Sequence, residues 1–198
     1  MEKGDTRERI IQAARKLFWE HGFANTAVAD ILEEANARSG SFYYFFESKQ
    51  ALLNAVLDFY LEALEPEVVT PAFARTADPI GRVMAILERY RQALIATNFT
   101  YGCPIGKLSL EVPPDQKKTL GKIDANFRAW IAVVQRCLEA AADRFLPATD
   151  LHELACFVLT VMEGAVMQSR VQRSIDPFDK SVRQLRRHID LLLKKNKK

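Results

Sequence analysis

Apolar residues recur at spacings of three and four along almost the whole chain, the signature of amphipathic helices. Ile10, Ile11, Ala14, Leu17 and Phe18 form the first stripe, with Thr6 placed to cap it and Gly22 to stop it. Thr26 is placed to cap a short second helix that turns Val28, Ile31, Leu32 and Ala35 inward. The patch Asn36-Ala37-Arg38-Ser39 breaks that pattern, and Asn36 tolerates the left-handed conformation of a tight turn. A short third helix is expected around Gly40–Phe45. Ser48 reads as the cap of a fourth carrying Leu52, Leu53, Val56, Leu57, Tyr60 and Leu64.

Pro66, Pro71 and Pro79 predict a break over residues 65–79. Beyond it, Ile80, Val83, Met84, Leu87, Tyr90 and Leu94 form another stripe, interrupted at 98–102. A short segment from Cys103 to Val112 ends at Pro113-Pro114. A long helix then carries Leu120, Ile123, Phe127, Trp130, Ile131, Val134, Leu138 and Phe145 up to Pro147. Thr149 or Asp150 caps the next, with Leu151, Leu154, Ala155, Val158, Leu159, Met162, Ala165 and Val166 inward. Asp176-Pro177 opens the last, with Val182, Leu185, Ile189 and Leu192. Alternating strand patterns and internal repeats do not occur, so the expected fold is all-α with about nine helices.

The 198 residues are 48% hydrophobic and 27% charged, which suits a soluble globular chain. No run approaches the roughly 18 uninterrupted apolar residues of a membrane span, and charged residues through Arg9 leave no secretory signal, so a cytoplasmic protein is expected. Cys103, Cys137 and Cys156 are an odd number without tight spacing. They read as reduced thiols, not a disulfide framework or a metal site.

Net charge is only +3, and residues 1–50 hold seven Lys and Arg against eight Asp and Glu. Any nucleic-acid surface there has to be a local arrangement, not a basic patch. The excess positive charge lies in Arg183, Arg186, Arg187 and a tail, residues 194–198, that is expected to be frayed and solvated.

Three short helices in the first fifty residues, the last two joined by a tight turn, follow the plan of a helix-turn-helix, whose second helix enters the major groove of DNA. The segment Ser39-Gly40-Ser41-Phe42-Tyr43-Tyr44-Phe45-Phe46 crowds small residues and aromatics into two turns, whereas a purely packing helix would carry more Leu and Ala. Small residues at 39–41 permit close approach, and tyrosine hydroxyls reach phosphate oxygens.

Thr6 to Phe18, Gly22-Phe23, Thr26, Val28, Ile31, Ser39-Gly40-Ser41-Phe42-Tyr43 and Lys49-Gln50-Ala51-Leu52 together resemble the amino-terminal domain of TetR-family repressors. The resemblance covers about residues 5–55 and implies roles position by position. Thr26 caps the second helix and holds a phosphate, and Arg38 reaches phosphate or a base edge. Ser39, Gly40 and Ser41 face bases, Tyr43 and Tyr44 contact phosphates or thymine methyls, and Lys49 pins a phosphate. Ile31 and Phe42 belong to the core. The chain departs from the family in placing Asn36 where glycine is usual at the turn, and in Phe45, which lacks a tyrosine's hydroxyl.

The same resemblance implies a helix-turn-helix domain over residues 1–50, a helical ligand-binding and dimerisation body over 51–193, and a homodimer formed through the last two long helices. Its partners are then double-stranded operator DNA, pseudo-palindromic because the dimer is symmetric, and a small apolar or electrophilic effector.

Tyr101-Gly102-Cys103-Pro104-Ile105-Gly106-Lys107 also resembles the Gly-Cys segment of an electrophile-responsive branch of that family, which makes Cys103 the candidate reactive thiol, with Arg170 in the place of a basic neighbour. The competing reading of Cys103 is an inert apolar side chain. The alternative sensor is an apolar pocket lined by Tyr60, Phe99, Tyr101, Phe127, Trp130, Met162 and Met167. Cys137 and Cys156 read as core. His21, His152 and His188 are scattered, and no catalytic triad order, zinc-hydrolase motif or phosphate loop is present, so neither catalysis nor a cofactor is expected. An activator and a helical adaptor that binds no DNA stay open beside the repressor.

Overall fold

The computed structural model describes residues 3–194. Among these, ten α-helical segments follow one another. They are α1 (Lys3–His21), α2 (Val28–Glu34), α3 (Ser39–Phe45), α4 (Lys49–Ala63), α5 (Thr70–Phe73), α6 (Pro79–Ala96), α7 (Pro104–Glu111), α8 (Lys117–Glu139), α9 (Leu151–Gln172) and α10 (Asp176–Leu192). The only strand-like pairing described is one antiparallel bridge, Phe145 to Leu193. The fold is all-α, and the count exceeds nine through α5, a single turn.

Several boundaries differ from the sequence expectation, each for a local reason. Helix α1 already runs at Lys3, so Thr6 lies inside it and its Oγ1 accepts a hydrogen bond from Arg9 Nη2 at 3.3 Å. The expected break over 65–79 is confined to residues 74–78, between α5 and Pro79 at the start of α6. After α4 comes a widened π-helical stretch, Leu64–Val69, holding Pro66, and Pro71 lies in the first turn of α5. A widened turn accommodates a ring that lacks N–H and crowds the preceding carbonyl, and a first turn needs no amide from proline. Two of the expected caps are in place. Ser48 Oγ accepts from Ala51 N at 3.0 Å, and Asp150 caps α9 through His152 N and Glu153 N, both at 2.9 Å. The basic tail beyond Lys194 lies outside the described residues. Lys194 itself is tied down, its N–H donating to Arg144 O at 2.8 Å.

Two compact units divide the chain, residues 1–62 with 104–127, and 63–103 with 128–198. In the first, α4, α7 and the start of α8 bury apolar faces in the same core as α1–α3. That core joins Ile10, Phe18, Ile31, Phe42, Leu52, Leu53 and Leu57 to Leu108, Val112 and Ile123. Each such side chain contributes about 1.5–3 kcal/mol when buried. The second unit packs Ile80, Val83 and Leu87 of α6, Val134 and Leu138 of α8, Leu154, Val158 and Met162 of α9, and Phe178, Leu185 and Ile189 of α10. Helix α9 has the length and apolarity of a membrane-crossing helix, but its Leu154–Val166 stripe is part of this core.

Candidate functional site

Helix α3 is short because its inward face is. Phe42 is 1% exposed and anchors it, stacking edge-on against Tyr43 and tilted against Phe46. The turn before it is set by Asn36, at φ +47°, and Arg38 stands extended and exposed at the amino-terminal cap position. Phe45 is half-buried against the same core, and the rest of the helix faces outward. Ser39 and Gly40 are exposed, Ser41 is half-buried, and Tyr43 and Tyr44 are 72% and 65% exposed. A side chain on Gly40 would meet no protein atom within 4 Å. A glycine inside a helix costs about 1 kcal/mol relative to alanine, and nothing in the chain's own packing requires it here.

Two residues expected at this surface are turned inward. Ala27, not Thr26, is the amino-terminal cap of α2. Thr26 is 2% exposed, and its Oγ1 hydrogen-bonds Gly22 O at 2.7 Å and Leu17 O at 3.3 Å, which closes the α1–α2 turn from inside. Lys49 is half-buried, and its Nζ donates to Phe23 O at 2.8 Å and Thr26 O at 2.9 Å and lies over the Phe23 ring at 4.4 Å. The carbonyls of the turn attract the ammonium, so Lys49 spends two hydrogen bonds on this chain's own backbone.

The same turn is held from the other side by α7. Lys107 Nζ donates to Trp19 O at 2.9 Å and Glu20 O at 3.2 Å, where the last carbonyls of α1 and its dipole favour a cation. One helical turn on, Glu111 Oε2 accepts from Ala24 N at 3.0 Å. Gly22 lies between them at φ +92°, and a β-carbon there would stand 2.6 Å from Glu111 Oε1. The positive φ favours glycine at that position, and any side chain there would also displace the Glu111 carboxylate. The sequence reading had no signal for this clamp beyond the charges themselves.

In the second unit, the segment 98–103 runs against α9. Arg173 Nη2 donates to Asn98 O at 3.4 Å, and Arg170 Nε to Thr100 O at 3.1 Å. Gly102 lies so near that an added β-carbon would be 3.3 Å from Val166 Cγ1. Asn98 and Phe99 both take positive φ, +47° and +59°, to make this course. It ends at Cys103, which is half-buried and hydrogen-bonded to the Glu163 carboxyl. The other oxygen, Glu163 Oε1, is sealed from solvent and has no hydrogen-bond partner. Burial raises the Glu163 pKa above the ordinary carboxylate range, and the hydrogen bond from Cys103 opposes that shift. Beside them, Tyr90 OH accepts from Trp130 Nε1 at 3.0 Å, with the rings edge-on at 6.4 Å. Burial, then the proximity of Cys103 and Glu163, pushes the Tyr90 phenol well up.

This arrangement revises the expected sensing residues. The group on the thiol is an acid, Glu163, and Arg170 Nε is engaged by a backbone carbonyl. Trp130 and Met162 are buried, but Met167 is 59% exposed and lines no interior. Tyr60 and Phe127 pack on the core of the first unit, whereas Phe99, Tyr101, Trp130 and Met162 belong to the second. Cys137 is core, its thiol pKa raised by burial. Cys156, also expected in the core, is half-buried with Sγ 3.7 Å from His152 Nε2. Glu163 and Tyr90 were missed. The signal for Glu163 was a single acid inside the apolar run from Val158 to Met167.

Comparison with known proteins places both halves of the chain. Residues 10–56 match the family model for bacterial regulatory proteins of the tetR family, and residues 79–184 match the C-terminal domain of LmrA/YxaF-like transcriptional regulators. An uncharacterised HTH-type transcriptional regulator of Mycobacterium tuberculosis is 32% identical over 91% of this chain and 92% of its own. The HTH-type transcriptional repressor DhaR of Mycobacterium sp. strain GP1 is 29% identical over 90% and 89%. Among solved structures, the reduced form of Escherichia coli NemR superposes with a TM-score of 0.80 at 23% identity, covering 98% of this chain and 100% of that one. A cysteine mutant of the regulator CifR, complexed with 26 bp double-strand operator DNA, gives 0.75 at 22% identity over 90% and 94%.

Proposed function

This chain belongs to the TetR family of bacterial transcriptional regulators, and from that premise we propose that it is a cytoplasmic, homodimeric repressor whose α3 reads a pseudo-palindromic operator and whose Cys103 region senses a thiol-reactive effector. The observation that carries the DNA-reading half is the outward face of α3. Arg38, Ser39, Gly40, Ser41, Tyr43 and Tyr44 line a helix held to the core by Phe42 and Phe45, and Gly40 leaves open space that the fold does not fill. A duplex brought close there meets hydroxyls for phosphates and small side chains for base edges. Repression is the activity named for the relative DhaR, and operator binding that of CifR. Both come to this chain as part of the proposal.

The homodimer rests on α9 and α10. Their packing leaves Phe157, Met167, Val171 and Leu191 exposed at 44%, 59%, 79% and 77%. Pairing these helices with a second copy buries that surface and sets two α3 helices roughly 34–36 Å apart, one turn of DNA. Sensing is routed through α7. Cys103 precedes Pro104, its first residue, and α7 carries the Lys107–Glu111 clamp on the α1–α2 turn.

The test is a titration of labelled DNA from upstream of the gene, followed by anisotropy, before and after N-ethylmaleimide, with Cys103→Ser as control. The expected result is tight, salt-sensitive, sequence-specific binding that the reagent abolishes only when Cys103 is present. Binding indifferent to the reagent retires the thiol and leaves an apolar effector. The absence of specific binding across genomic fragments overturns the repressor.

A further inference from the structure

A thiol that senses electrophiles is ordinarily activated by a cation that favours its thiolate. Here the partner is a carboxyl, which asks for a different chemistry. Four contacts fix the geometry. The ladder of Arg173 to Asn98, Arg170 to Thr100 and Gly102 against Val166 sets the register of the segment on α9, and that register delivers the Cys103 thiol to Glu163. One carboxyl oxygen engages the thiol, and the other is buried without a partner. Resting on the thiol-sensing reading above, we propose that Glu163 is the general base for Cys103, taking the thiol proton as the sulfur attacks an α,β-unsaturated carbonyl effector.

The step balances without an oxidant. The S–H proton passes to the Glu163 carboxylate. The sulfur pair forms the S–C bond to the β-carbon, the C=C π bond breaks, and its electrons move onto the carbonyl oxygen as an enolate. The α-carbon then takes up a proton, and Glu163 returns to its ionised form. Burial assists, because a carboxylate whose pKa is raised by its apolar setting is a stronger base toward a thiol than one in water. The adjoining groups do not supply a competing base. From α6, Tyr90 stands beside both with its phenol firmly protonated, and from α8, Trp130 donates to it. On α9, Arg170 holds Thr100. From α10, Lys180 and His188 line a groove with Phe157, Gly164 and Gln168 that Glu163 does not share.

The experiment measures the rate at which N-ethylmaleimide labels Cys103 in the full-length protein, read at that residue by peptide mass, as a function of pH. Wild type is compared with Glu163→Gln and Glu163→Asp. Circular dichroism and operator affinity without reagent establish that each variant is folded. The expected result is a loss of about tenfold or more for Glu163→Gln at pH 7, partial retention in Glu163→Asp, and convergence of all three at high pH, where the thiolate forms without help. Labelling of Glu163→Gln at pH 7 as fast as wild type, or faster, overturns the proposal, because the carboxylate then only disfavours the thiolate. A loss equal at every pH also overturns it, since that is a defect of access. The operator reading fails separately: if fully labelled wild type still binds its operator, the thiol is no switch, whatever its labelling rate.

Discussion

The α3 face and the Cys103 neighbourhood turn their polar groups in opposite directions. On α3, Tyr43, Tyr44 and Ser39 face solvent, and Gly40 gives up helix stability for open space. Around Cys103, the unsatisfied group is the buried Glu163 Oε1. An outward vacancy can be filled by a large rigid partner at little cost to the fold, whereas an inward one is kept only by a fold strong enough to bear it and is filled only by something small. The contrast separates the proposed DNA-contacting surface from the proposed sensing site without reference to net charge, which is negative over residues 1–50.

Breaking the contrast at its outward end gives the largest effect. Gly40→Gln is expected to weaken operator binding by about a hundredfold while leaving stability unchanged or raised by up to about 1 kcal/mol, since glutamine is the better helix former. Anisotropy and urea unfolding on the same preparation check the pair of signs. Next is the clamp that supports the reading unit. Gly22→Ala should cost about 2–3 kcal/mol in urea unfolding, from positive φ and the Glu111 contact together. Adding Glu111→Ala should relieve the contact but not the φ strain, so a double mutant more stable than Gly22→Ala is the expected outcome.

Lys49 sharpens the boundary of the DNA face. Lys49→Met removes two hydrogen bonds to turn carbonyls and should cost about 1–2 kcal/mol of stability. The slope of operator affinity against salt should not change, whereas the loss of a phosphate contact would lower it by about one unit. The smallest effect is at the inward end. Because the folded pKa of Glu163 is raised, the native state holds its proton more tightly than the unfolded chain. Its penalty is therefore absent below the ordinary glutamate range and grows as pH rises toward the raised value. Glu163→Gln should gain stability relative to wild type over that window and show no relative gain at pH 4, as read by denaturation midpoints.

Legibility in the sequence followed the distance between partners. The turn at Asn36 and the cap at Ser48 involve near neighbours, and local spacing located them, whereas the anchor at Phe42 followed from the family resemblance. Pro66 misled because a proline has more than one remedy, and a widened turn keeps the helical course where a break was expected. The charge of Lys49 is visible in sequence, but the carbonyls of Phe23 and Thr26 that it meets are not. The Lys107 and Glu111 contacts reach back to residues 19–24, and Tyr90, Cys103, Trp130 and Glu163 come from four separate stretches. Such partners share no periodicity, so only a fold assembles them.

The Lys107–Glu111 clamp has a further consequence. The two side chains lie four residues apart on one face of α7, and each residue turns the helix by about 100°. A slip of α7 by one residue swings both away together, and a rigid helix has no intermediate setting that keeps one contact and drops the other. A turn of α7 about its axis is thus expected to release both contacts on the α1–α2 turn together and not one after the other.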